Sequence, residues 1–253
     1  MYQIKQLAEK IVPRKYLRVA GLYVTRTASV FMRGQKYECP ICNYKGKRFL
    51  SYGLKTRPNS LCPWCLSLER HRLLWLYLRA KTNIFTDPVK VLHFAPEHQI
   101  QEDLKQRPNI DYTSCDIDMP TAMVKVDITK IQYAENTFDI ILCNHVLEHI
   151  PDDNLAMREL YRVLKPGGWA ILQTPIDIYS EHTIEDKGPL TKKEREEKFG
   201  QNDHIRTYGL DKKDRLEAAG FTVILDDYVR TLPADLVTKY SLEYIEDIYL
   251  CKK

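Results

Sequence analysis

The first third of this chain is nearly empty of acid. Up to Lys81 it carries 17 Lys and Arg against 3 Asp and Glu, while the remainder carries 21 against 31. Such an imbalance speaks to association rather than to fold. It marks either a surface for an anionic partner, nucleic acid or a membrane surface, or a basic module docked on its own acidic neighbour. No run approaches the roughly 18 consecutive apolar residues of a membrane span. The N-terminus lacks a continuous apolar stretch followed by a small-residue cleavage site, so no signal peptide is expected. The cysteines do not form an even framework set. There are seven, and four of them sit in two C-x-x-C pairs, which argues for metal in a reducing compartment rather than for disulfides. The expected localisation is cytoplasmic, with peripheral membrane attachment as the alternative. What is present, 44% apolar and 28% charged residues over 253 positions, is ordinary for one large globular domain plus a small module.

Residues 1–37 read as a basic amphipathic arm. Ile4, Leu7, Ala8 and Ile11 share one helical face, and Pro13 ends that helix or starts another. Residues 38–66 read as a zinc-ribbon-like module. Cys39-Pro40-Ile41-Cys42 and Cys62-Pro63-Trp64-Cys65 are spaced so that two knuckles present four thiolates to one ion, a closed tetrahedral set suited to structural zinc. Cys-Pro-Trp-Cys alone also fits a thiol redox motif, but it lacks the βαβ context of one. The intervening loop mixes Lys45, Lys47, Arg48, Lys55 and Arg57 with Tyr44, Phe49 and Tyr52, a pattern that grips nucleic acid in some modules and merely buries its aromatics in others. Residues 67–86 read as a linking helix, apolar nearly all round, with intrahelical and interdomain ion pairing expected in Glu69-Arg70-His71-Arg72.

From residue 87 the pattern changes. Val89–Phe94 is a short apolar run, Tyr112–Asp116 is a second run that ends in a carboxylate, Phe138–Asn144 is a third, too β-branched and apolar for a surface strand, and helix-like segments lie between them. This alternation predicts an α/β fold, a doubly wound and mostly parallel sheet with ligands at the carboxyl ends of the strands.

Three ordered motifs carry a resemblance. They are Phe138-Asp139-Ile140-Ile141, then Val146-Leu147-Glu148-His149-Ile150, then Leu164-Lys165-Pro166-Gly167-Gly168. Residues 87–253 resemble a class I S-adenosylmethionine-dependent methyltransferase of the small-molecule type. That resemblance implies a seven-stranded Rossmann-like sheet behind the four-cysteine zinc module and methyl transfer to an oxygen or nitrogen nucleophile. The zinc module with Ser67-Leu68-Glu69-Arg70-His71-Arg72 and Leu92-His93-Phe94-Ala95-Pro96-Glu97 resembles a set found in bacterial methyltransferases of surface-polysaccharide gene settings, which implies a sugar or surface-polysaccharide precursor as acceptor. The zinc module also resembles that of a bacterial ribosomal-RNA methyltransferase, so an RNA acceptor gripped by the basic region is a second reading. A third reading is a non-catalytic interaction protein on a degenerate fold.

The third reading arises because the family's glycine-rich first loop is rewritten. His93 stands at the acidic position, Ala95 at the first glycine and Glu97 at the second. Glu97 can pair with the cofactor's ammonium group but repels its carboxylate. The other cofactor positions implied by the resemblance survive. Asp116, followed by Ile117, ends the second strand where an acid meets the ribose hydroxyls. Asp127 matches the carboxylate at the adenine amino group, with Ile128 against the ring. Asn144 and His145 end the next strand, where cofactor and substrate meet. Residues 176–208 form an insertion with a capping box at Thr191 and Glu194 and a stop at Gly200. In it, His204 and Asp203 read either as a base and its partner or as turn residues. His145 joins them as a catalytic candidate, whereas His149 reads as structural.

Overall fold

The computed structural model describes residues 14–253 except 54, 55, 187 and 189. The expected face over Ile4, Leu7, Ala8 and Ile11 lies outside the described residues. The chain opens with α1 (Arg14–Phe31), β1 (Arg33–Glu38), β2 (Lys45–Gly46), β3 (Leu50–Tyr52), β4 (Arg57–Leu61) and α2 (Glu69–Lys81). It continues through β5 (Val89–Phe94), α3 (His98–Leu104), β6 (Ile110–Asp116), β7 (Val124–Lys125), β8 (Phe138–Cys143), α4 (Asp153–Val163) and β9 (Leu164–Ile171). The insertion contributes β10 (Ile184–Glu185), α5 (Lys192–Phe199) and β11 (Arg206–Thr207). The chain closes with α6 (Lys212–Ala218), β12 (Thr222–Asp226), α7 (Tyr228–Thr231), α8 (Ala234–Tyr240) and β13 (Ile248–Lys252).

Two compact units result. One joins the described residues up to Leu76 to Val229–Glu246, and the other comprises Tyr77–Tyr228 with Asp247–Lys253. The first division between these units falls within α2, between Leu76 and Tyr77. The first unit takes in the start of α2 and, from far along the sequence, α8. The reason lies in polar contacts. Arg72, fully buried, donates to the carbonyls of Tyr240 and Ser241 at 2.7 and 2.8 Å, and also to those of Ser60 and Ser67. Lys239 pairs with Glu38 at 2.9 Å, and Ser241 Oγ donates to Asn59 O. The polar start of α2 thus departs from the expected intrahelical pairing. Arg72 satisfies carbonyls, and Glu69 pairs with Arg57 at 3.0 Å.

The second unit is a seven-stranded sheet in the order β12-β13-β9-β8-β5-β6-β7. β5 pairs in parallel with β6 and β8, and β9 follows β8 in parallel, while β13 runs antiparallel to both of its neighbours. Of the runs read as strands, those in β5 and β8 are buried on both faces, with Val91, Leu92, Ile141, Leu142 and Cys143 fully inside. The chain order reverses between β5 and β8, so the carboxyl ends of those strands open a crevice there.

The motif residues brace this arrangement. Asp139 accepts from the backbone N–H of Lys90 and from Lys165 Nζ, both at 2.8 Å. A side chain on Gly168 would stand 2.7 Å from the Asp139 carbonyl, so only glycine lets β9 approach β8 there. The Lys165–Gly168 run does not precede its strand, as its turn-like composition suggests. It lies inside β9, with a register shift opposite it on β8. The capping box at Thr191 and Glu194 and the left-handed Gly200 are both present on α5.

Candidate cofactor pocket and thiolate cluster

The rewritten first loop is a wired structure. His93 is fully buried in β5; its Nδ1 lies 2.9 Å from the Tyr112 hydroxyl and its Nε2 lies 2.8 Å from Glu97 Oε2. Glu97 stands just before α3, where its backbone is extended, and its Oε1 accepts from Asn144 Nδ2 at 3.2 Å. Side chains from β5, β6 and the end of β8 therefore fix one carboxylate. Ala95, at the glycine position, has φ +44° and donates its N–H to Cys115 O. The backbone conformation that glycine normally supplies is kept, with a methyl group in its place.

Asn144 is buried, and its Oδ1 has no hydrogen-bond partner among the described residues. An orphaned buried acceptor beside the Glu97 carboxylate fits an ammonium group, which brings three donors. Asp116 ends β6. Its Oδ1 accepts from the backbone N–H groups of Asp118 and Met119 at 2.7 and 2.8 Å, which holds the strand-end loop. The neighbouring Ile117 is 52% exposed, an apolar side chain left open at the rim of the crevice. Asp127 shapes its own turn, accepting from the N–H and hydroxyl of Thr129 at 2.8 and 2.7 Å, and these bonds hold its carboxyl below the ordinary range. Ile128 departs from expectation. Its side chain is buried in the hydrophobic core with Phe94 and Leu147, so it does not stand open to receive a ring.

The expected base and partner are not arranged as a pair. The Asp203 carbonyl lies 3.1 Å from His149 Nδ1, and its carboxylate is 3.9 Å from that same nitrogen. His204, buried in the protein, meets the His149 ring edge-on at 4.7 Å. Burial lowers the His204 pKa, with nearby Glu148 opposing the shift. His145, at φ +55°, donates its backbone N–H to Gln173 O and sets its Nδ1 3.4 Å from Glu148 Oε1. Burial pushes Glu148 up, but His145 and the other nearby donors outweigh it and leave the carboxyl below its ordinary value. Sequence reasoning singles out His145 but passes over Glu148 and Tyr112. Both look like ordinary motif or strand residues until the fold brings their partners to them.

In the first unit the two knuckles have the same backbone. Asn43 and Leu66 each donate to the carbonyl of the cysteine four residues earlier, and both sit in the left-handed region, at φ +58° and +60°. Glycine or asparagine tolerates that region, whereas leucine does not readily, so the second knuckle needs something to hold it. Cys39 Sγ lies 3.6 Å from Cys65 Sγ and Cys42 Sγ lies 3.7 Å from Cys62 Sγ. A tetrahedron with metal–sulfur bonds of about 2.3 Å has edges of roughly 3.8 Å, so the four sulfurs fit one ion.

Residues 90–172 match the family model for a methyltransferase domain. The ubiquinone/menaquinone biosynthesis C-methyltransferase UbiE of Klebsiella pneumoniae is 33% identical over 82 residues, 28% of this chain and 33% of that protein. Phosphoethanolamine N-methyltransferase 3 of Arabidopsis thaliana is 30% identical over 171 residues, 63% of this chain and 29% of that protein. The chain thus spans a third or less of the length of these relatives. Among solved structures, an S-adenosylmethionine-dependent methyltransferase from Mesorhizobium loti superposes with a TM-score of 0.49 at 14% identity, covering 71% of this chain and 97% of that one. Among the described residues no helix is long and apolar enough to cross a membrane. Residues 90–172 thus carry a methyltransferase domain, with the three motifs inside it, a sheet whose one reversed strand lies next to the edge around it and a four-cysteine module ahead of it.

Proposed function

We propose that this protein transfers a methyl group from S-adenosylmethionine to an oxygen or nitrogen nucleophile on a small molecule, a sugar or surface-polysaccharide precursor being the favoured acceptor. When bound, the cofactor supplies an electrophilic methyl group on a sulfonium. Glu97 and Asn144 Oδ1 hold its ammonium end, Asp116 accepts from the ribose hydroxyls with Ile117 beside it, and Asp127 serves the adenine amino group. The chain's own contribution is chiefly positioning. His145, at the end of β8, is the group we assign to the acceptor side. The single observation that carries the reading is the Glu97 carboxylate, fixed by His93 and Asn144 at the reversal point of the sheet. The cysteine cluster holds a structural zinc ion, for which all four positions are protein thiolates.

The test is incorporation of label from methyl-labelled S-adenosylmethionine into size-fractionated cell extract. Label in the small-molecule or glycan fraction supports the proposal. A second reading, an RNA acceptor, draws on a cavity of the first unit lined by Lys36, Lys47, Arg48, Tyr37 and Phe49. Label in the RNA fraction, with binding that weakens steeply as salt rises, would replace the first reading by this one.

A further inference from the structure

Glu148 is a carboxylate buried to 1% exposure, and neither of its oxygens has a hydrogen-bond partner among the described residues. A buried carboxylate without a hydrogen bond is costly unless a cation answers it. Two imidazoles converge on it. One ligand atom from each of Glu148, His149 and His204 lies within 4.8 Å of the other two.

The three residues come from distant segments that the fold ties firmly together. Glu148 and His149 lie in the short 3-10 turn after β8, and His204 ends the loop that leads into β11. The N–H of Ile205 donates to Glu148 O at 3.1 Å. Arg206, almost wholly buried, donates to the carbonyls of Leu147 and Pro151 at 2.7 and 3.0 Å and also to that of Ile150. These bonds flank the turn on both sides, so the ligand atoms are held in place rather than gathered by chance.

From this geometry we infer that Glu148, His149 and His204 form a binding site for a divalent transition-metal ion, separate from the four cysteines. Two imidazoles and one carboxylate suit borderline ions such as zinc, cobalt, iron or manganese, and three protein ligands leave further coordination positions open. The site lies beyond the carboxyl end of β8, next to His145. Resting on the methyl-transfer reading, we assign those open positions to an oxygen atom of the acceptor, which the ion orients. The competing occupant of the same charge is His145, whose Nδ1 stands 3.4 Å from Glu148 Oε1 and which in its protonated form could neutralise Glu148 without metal.

The test uses the full chain with its cysteine site saturated with zinc and titrates it with cobalt(II). The expected result is about one further cobalt ion per chain, with the visible absorption of a nitrogen- and oxygen-ligated ion and without thiolate charge-transfer bands. Glu148→Gln and His204→Ala should abolish this uptake. His149→Ala, at a partly exposed position, should keep the wild-type melting curve and weaken cobalt binding at least tenfold. Absence of the additional ion, a spectrum showing only cobalt on thiolates, or uptake unchanged in His149→Ala would overturn the site. Cobalt uptake requires no S-adenosylmethionine, so its failure is separable from a failure of the cofactor pocket.

Discussion

His93 Nε2 lies 2.8 Å from Glu97 Oε2, across the loop where this fold usually carries glycines. The pair makes the rewritten loop a positioned carboxylate rather than a damaged cradle. It also sets two effects against each other, since Glu97 attracts the ammonium end of the cofactor and repels the carboxylate end. Replacement by glutamine keeps the shape and the Asn144 contact and removes the charge. If attraction dominates, Glu97→Gln should weaken binding of S-adenosylhomocysteine about tenfold or more, the scale of one lost charge-assisted hydrogen bond. Titration calorimetry reads this directly, and tighter binding by the variant would mean that repulsion outweighs attraction.

Ala95 holds φ +44° in the same loop. A β-branched side chain fits that region poorly. Ala95→Val should therefore lower the unfolding free energy by about 1–2 kcal/mol, measured by chemical denaturation. An unchanged midpoint would show that the loop adopts another backbone.

Lys212 is buried at the start of α6, where its ammonium group donates to Leu172 O at 2.7 Å and stands 4.0 Å over the Tyr249 ring. Burial lowers its pKa to about 8. Its unfolded value is near 10.4, so between the two values the unfolded chain binds more protons and stability must rise with pH. Relative to Lys212→Met, which cannot titrate, the wild type should gain up to about 3 kcal/mol between pH 8 and 10.5. Taking the difference cancels the buried tyrosines, which titrate in the opposite sense. A flat difference would mean that the lysine keeps its ordinary pKa in the fold.

The fold was largely legible in the sequence, and the site was legible in part, for physical reasons. Val89–Phe94 and Phe138–Cys143 announce themselves because a strand buried on both faces must be continuously apolar. The helices α7 and α8 were not readable, nor was the membership of α8 in the cysteine unit. That placement depends on Arg72 reaching carbonyls 168 and 169 residues away, which no local pattern encodes. In the pocket, Glu97 stood out because it replaced a glycine. Tyr112 did not, since its bond to His93 exists only once β5 and β6 are paired. Asp203 was matched to His204 by adjacency, whereas the backbone turns its carboxylate toward His149.

The cysteine cluster makes a separate prediction. Metal affinity requires deprotonated thiolates, and the left-handed Leu66 has to be held in place. The purified chain should contain about one zinc ion. Prolonged chelation, or Cys62→Ser, should remove it and lower the melting temperature. Elemental analysis beside a thermal melt checks both, and a metal-free chain with an unchanged melt would show that the cluster needs no ion.

Asp116 ends β6 with one carboxylate oxygen tied to its own loop. The decisive measurement is calorimetric titration of the wild-type chain and of Asp116→Ala with S-adenosylhomocysteine. One site per chain is predicted for the wild type, with affinity falling at least tenfold in the variant while the fold is retained. No binding to well-folded wild type, or equal binding by both proteins, would contradict the claim that this crevice receives the cofactor.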